Sequence, residues 1–147
     1  MDQEKSRGIL LRAGAGLVCL GLSLLAQSGE TYKARLSALP ADAKTRPDLA
    51  GLGTASATLA GTKFSLTGSF EGLKSPATTA QLHDGLATGV RGPVIHDLTV
   101  AKATSGSISG SFDLTPEQAE HFKKGRFYIQ IHTEKAADGA IWGWLTR

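Results

Sequence analysis

A chain of 147 residues holds one domain once a targeting segment is set aside. Its 16 Lys and Arg against 13 Asp and Glu leave a net charge of +3, with no basic block that would track a phosphate backbone, so nucleic acid is excluded as a partner. The single cysteine, Cys19, falls in the N-terminal segment, so the rest of the chain forms no internal disulfide and must rely on its core.

The opening, MDQEKSRGILLRAGAGLVCLGLSLLAQSGE, has the layout of a secretory leader. Lys5, Arg7 and Arg12 give a positive start, Ala13 to Ala26 an uncharged apolar stretch, and small or polar residues follow. That stretch is shorter than the roughly 18–20 apolar residues that span a bilayer. The sequence is therefore read as a signal peptide over 1–26, cleaved near 26–28, followed by a domain over 27–147 exported to the periplasm or the extracellular space. Val18 stands before Cys19 where a lipoprotein signal has a small residue, which argues against lipid attachment. The leader before cleavage is the only membrane contact this reading predicts.

Beyond the leader, 18 glycines and short alternating apolar runs predict strands joined by turns every ten or so residues. TYKARLSAL is the first, and ADAKTRPDLAGLG reads as an irregular connection with some freedom to move. TASATLAG follows, then KFSLTGSF, with Phe64, Leu66, Gly68 and Phe70 on one face. In ATTAQLHDG, Ala80 and Leu82 take one face and Thr79, Gln81 and His83 the other. GPVIHDLTVA and SISGSFDL complete this series.

LTPEQAEHFKKG predicts a short helix. Thr115 is the N-cap, Pro116 takes the first position and Gln118 closes a capping box. Lys123 and Lys124 occupy the last turn, and Gly125 is the stop. The end is a hairpin, with Phe127, Ile129 and Ile131 facing one way and Tyr128, Gln130 and His132 the other. Asp138-Gly139 makes the turn, Ile141 and Leu145 return to the buried face, and Trp142 and Trp144 share the opposite one. A strand this apolar on both faces is either central in its sheet or covered. The fold class predicted is all-β, an antiparallel β-sandwich with one short helix before the C-terminal hairpin.

From about Tyr32 to Arg147 the order of features resembles the CHRD domain, the module named after chordin. LTPEQAEHFKKGRFYIQIHTEKAADGAIWGWL is similar to the family's leucine-threonine-proline, helix, glycine, aromatic strand, histidine-threonine, turn and final strand. TTAQLHDG with RGPVI resembles its alanine-histidine-x-histidine-glycine stretch and its glycine-proline-valine. The resemblance implies an exported sandwich, immunoglobulin-like or superoxide-dismutase-like. Two departures matter: Gln81 stands where the family has the first histidine of its pair, and Trp142 where it has an arginine. The roles of that arginine and of a complete pair do not carry over.

The family's histidines also resemble those of copper–zinc superoxide dismutases, and imidazole suits either metal. His83 and His132 are then the first candidate ligands for copper or zinc, with His96, Asp84 or solvent needed as a third donor because an amide such as Gln81 is a poor ligand. The plainer reading takes no cofactor. It has His83 and His132, ending neighbouring strands, meet at one tip of the body and brace it by hydrogen bonds to nearby loops. His96 reads as a partly buried ring and His121 as a solvated helix residue. No nucleophile elbow, phosphate loop or paired carboxylates assemble, so no catalytic residue is assigned and the protein is read as a non-enzyme. Trp142, Trp144 and Tyr128 are the candidate binding residues for a protein or glycan outside the cytoplasm. The function expected is non-catalytic binding or structural work there, with a copper- or zinc-binding protein as the alternative.

Overall fold

A computed structural model describes residues 29–147; the proposed leader lies outside the described residues. The strands are β1 (Glu30–Ala38), β2 (Leu52–Ala60), β3 (Lys63–Glu71), β4 (Ala77–Asp84), β5 (Val94–Val100), β6 (Gly106–Asp113), β7 (Phe127–Thr133) and β8 (Ile141–Trp144). One α-helix, α1 (Pro116–Lys123), lies between β6 and β7, and a single 3-10 turn (Arg46–Asp48) lies between β1 and β2. Among the described residues no helix is long and apolar enough to cross a membrane.

The chain is all-β and antiparallel, but it forms a closed barrel where a two-layer sandwich was expected. The strands run β1-β2-β3-β6-β5-β4-β7-β8 and the last pairs with the first. The closing seam is short, with Ser37 opposite Trp142 and Ala38 opposite Ile141. It continues past β8 through Lys33 N–H to Thr146 O at 2.8 Å and the return bond at 3.0 Å. Gly143 is required there, because a Cβ on it would overlap the Arg35 carbonyl. Two-residue alternation is the same in sandwich and barrel; what separates them is two short pairings, β8 with β1 and β5 with β6 (Thr99 opposite Ser109, Val100 opposite Ile108).

Inward positions follow the alternation. Tyr32, Ala34 and Leu36 of β1, Phe64, Leu66 and Phe70 of β3, and Phe127, Ile129 and Ile131 of β7 are all buried in one core. α1 plugs one end. Its capping box is complete: Gln118 N–H donates to Thr115 Oγ1 at 3.1 Å, and Thr115 N–H to Gln118 Oε1 at 3.0 Å. This fixes the helix start so that Ala119 and Phe122 point into the barrel. The Phe122 ring sits 4.2 Å from Tyr32, 5.2 Å from Phe64 and 5.5 Å from Phe127, centroid to centroid.

The two outer walls differ in kind. Across the middle of β2, β3 and β6 the outward residues are hydroxyl-bearing and exposed, as in the rows Thr54–Ser69–Ser107 and Thr58–Ser65–Ser111, with Leu52, Lys63, Glu71 and Asp113 at the ends. Across β4, β7 and β8 they are Gln81, His83, Tyr128, Gln130, His132, Trp142 and Trp144. There Tyr128 is only 1% exposed and Gln130 only 4%, although both point away from the barrel interior. The apolar double-faced strand β7 is thus covered, and by loops.

Candidate functional site

Two connections fold back over the β4–β7–β8 wall. The β4–β5 loop comes in from one end. Gly92 accepts from Tyr128 Oη at 3.1 Å and lies 3.0 Å from His83 Nδ1, and its N–H donates to Tyr128 Oη at 3.2 Å. From the other end comes the β7–β8 turn. His132 Nδ1 lies 2.8 Å from the Ala137 carbonyl, and Gln130 Nε2 donates to the Asp138 carbonyl at 2.7 Å. Gly139 has φ +116° and its missing side chain leaves the space that the Gln130 amide fills.

Between these brackets the aromatic rings form a continuous stack. His83 lies on Tyr128 at 4.5 Å, Tyr128 on Trp144 at 4.6 Å, and Trp144 meets Trp142 edge-on at 4.9 Å. The Arg91 guanidinium covers Trp142, 4.6 Å above the ring. Both indoles are half-buried, so each offers part of one face to solvent while Tyr128 underneath does not.

His83 and His132 do not meet at one tip. Because β4 and β7 are antiparallel, His83 stands opposite Tyr128 and His132 opposite Thr79, with the Gln81–Gln130 row between them. Two register steps separate them, about 13 Å along the strands. Each ring instead binds the backbone of its own loop, and no hydrogen bond joins the two. Burial pushes the His83 imidazole below its ordinary pKa; the Gly92 carbonyl opposes this, and the positive charge that His132 and Arg91 would present adds to the depression. A neutral ring is therefore held against Tyr128.

With Nδ1 facing a carbonyl, each ring carries its proton there and leaves the Nε2 lone pair free. His83 Nε2 and His132 Nε2 are buried without a partner, and so is the indole Nε1 of Trp144. His96 takes no part. Its cross-strand partner Leu82 points into the barrel, and its ring stacks on Phe112 at 4.1 Å. Gln81 is turned to Asp97, to which its amide donates at 3.1 Å. Among the described residues no group of three or more His, Cys, Asp or Glu is placed to hold a metal ion. The donor set stops at two imidazoles and does not fit the three or four ligands of a copper or zinc centre.

The CHRD domain profile matches residues 32–145. The chain belongs to the CHRD family. No curated protein and no solved structure matches it. In this CHRD domain the match begins at Tyr32, the ring against the helix plug, and ends at Leu145, whose N–H donates to Phe127 O at 2.9 Å. It therefore reaches all eight strands, including both strands of the closing seam.

One polar cluster of the CHRD domain was missed by sequence reasoning. His121, expected in solvent, is half-buried with Nδ1 2.6 Å from Asp84 Oδ2. Arg126 Nε sits 3.5 Å from Asp84 Oδ1 and donates to the Gly85 carbonyl at 2.7 Å. Together they tie α1 and β7 to the end of β4. The signal available was the helical offset: His121 precedes Phe122, so it flanks the buried stripe, but its carboxylate partner is 37 residues away.

Proposed function

We propose that this CHRD domain is a non-catalytic binding module working outside the cytoplasm, and that its recognition surface is the outer wall of β4, β7 and β8 centred on Trp142 and Trp144. The observation that carries the reading is the pair of half-buried indoles held by a buried ring, Tyr128, at 4.6 Å beneath Trp144. Aromatic surface fixed in this way loses little conformational freedom when a ligand covers it, which is where binding energy concentrates. Arg91 over Trp142 adds a cation at the rim. The ligand is a surface protein or glycan, since either presents apolar faces beside hydrogen-bonding groups.

Both tryptophans of the chain lie on this wall, so its emission reports directly on occupancy. Soluble oligosaccharides and purified surface proteins titrated against tryptophan fluorescence should yield a saturable change. Trp142→Ala/Trp144→Ala should then lose retention on the immobilised ligand while keeping a cooperative unfolding transition. A double variant that fails to fold would show that the indoles act as core and end the surface reading.

The alternative, a copper- or zinc-binding exported protein, has two buried Nε2 atoms behind it, but they lie two register steps apart and neither has further donors beside it among the described residues. Elemental analysis of protein taken from its native compartment tests it. Stoichiometric metal that disappears in His132→Ala would support it; metal far below stoichiometry, or unchanged by that substitution, would remove it.

A further inference from the structure

The β4–β5 loop, residues 85–93, is held at its base by bonds from several elements. Gly85 N–H donates to Arg126 O at 2.8 Å, Asp84 N–H to Pro93 O at 3.0 Å, and Thr88 Oγ1 to the Gly125 carbonyl at 2.8 Å. Tyr128 Oη and the Arg126 guanidinium add the bonds described above. The tip closes on itself through Val90 N–H to Ala87 O at 3.0 Å. A loop braced this way would ordinarily turn polar side chains outward. Instead Leu86 is 69% exposed, Val90 46%, and Val94 at the start of β5 45%. They are three of the four large exposed hydrophobics among the described residues.

Within the loop itself charge has one sign. Residues 85–95, GLATGVRGPVI, contain Arg91 and no acid. Lys124, at the helix end that Thr88 touches, forms no salt bridge among the described residues, whereas Lys123 is taken by Glu120 at 3.1 Å. Asp84, at the base of the loop, is occupied by His121 and Arg126, and Asp48 and Asp138 border the same hollow as Arg91 without pairing with it. Apolar side chains held outward, beside two cations that form no salt bridge among the described residues, Arg91 and Lys124, make a surface complementary to an anionic lipid headgroup layer over hydrocarbon.

We propose that the β4–β5 loop docks this domain on an anionic membrane surface, Leu86 and Val90 entering the interface and Arg91 and Lys124 facing headgroups. Beside the proposed leader this is a second membrane contact, one that would survive the leader's removal, and it does not depend on the aromatic-wall reading. Size decides between a bilayer and a protein groove. A stable protein interface takes about 800 Å² from each partner in matched shape, more than a nine-residue loop supplies. A bilayer needs no matched shape.

Tryptophan supplies the readout, because Trp142 lies under Arg91, next in sequence to Val90, and the N-terminal segment has no tryptophan. The full chain is mixed with vesicles of phosphatidylcholine, with or without phosphatidylglycerol, some carrying brominated acyl chains. Expected are co-sedimentation that requires phosphatidylglycerol and weakens with salt, and quenching of tryptophan by the brominated lipid. Leu86→Ser/Val90→Ser should lower the partition coefficient by about tenfold or more per side chain, and Lys124→Gln by about fivefold. Taking ratios between variants cancels whatever the N-terminal segment contributes. Equal partitioning of the serine variant, equal binding to neutral vesicles, or absence of quenching would each overturn the proposal. So would loss of a protein partner, and not of vesicles, on the serine substitutions. Failure of the indole double variant to bind its ligand bears only on the aromatic wall.

Discussion

Replacing Phe122 by alanine should open the plugged end of the barrel. The ring is fully buried and touches Tyr32, Phe64 and Phe127 at centroid distances of 4.2, 5.2 and 5.5 Å. Truncation returns about 150 Å² of apolar surface to water or to a void, worth about 4 kcal/mol at 25 cal/mol per Å². The strands around it are locked by closure and cannot collapse inward, so the cost belongs in the upper part of the 3–5 kcal/mol typical of such changes. Against a total of about 5–15 kcal/mol, that leaves a domain with little reserve. Urea unfolding followed by tryptophan emission measures it, and the midpoint should fall with an unchanged m-value. Phe122→Leu, which keeps most of the volume, should retain half or more of the lost stability. A loss below about 1 kcal/mol for Phe122→Ala, with folding still cooperative, would mean that the helix rests on the barrel without sealing it.

Gly143→Ala forces a Cβ into the Arg35 carbonyl at the seam and should cost about 1–3 kcal/mol, measured by thermal unfolding, whereas Gly61→Ala, in open space but at φ +64°, should cost only the smaller left-handed penalty. The pH dependence follows from His83. Its folded pKa is depressed, so below the ordinary value of 6.5 the unfolded chain takes up a proton that the folded chain refuses. The stability this contributes is present above about pH 6.5 and is lost as pH falls toward the folded value. His83→Gln should flatten the slope of unfolding free energy between pH 7.5 and about pH 5, and an unchanged slope would place the acid sensitivity elsewhere.

The strands, the helix with both of its caps, and the inward set Phe64, Leu66, Phe127, Ile129 and Ile131 could be read from the sequence because each depends on local rules. Alternation has a period of two, and a capping box spans four residues. The likeness to the CHRD family was legible for a similar reason: its motifs are contiguous stretches. What the sequence could not decide was every pairing distant along the chain. A sandwich and a barrel carry the same alternation, and they differ here in whether β8 reaches β1 and β5 reaches β6. The site shows the same limit. That Tyr128, Gln130 and His132 share a face follows from the strand period. Whether His83 lies beside His132 or two steps away follows from antiparallel register, and the structure puts the Gln81–Gln130 row between them. The burial of Tyr128, the Asp84–His121 contact and the outward Leu86 and Val90 were equally invisible, since each is set by which loop folds over which wall. Local backbone preferences are written residue by residue; closure, register and loop docking are decided only when the whole chain shares one core.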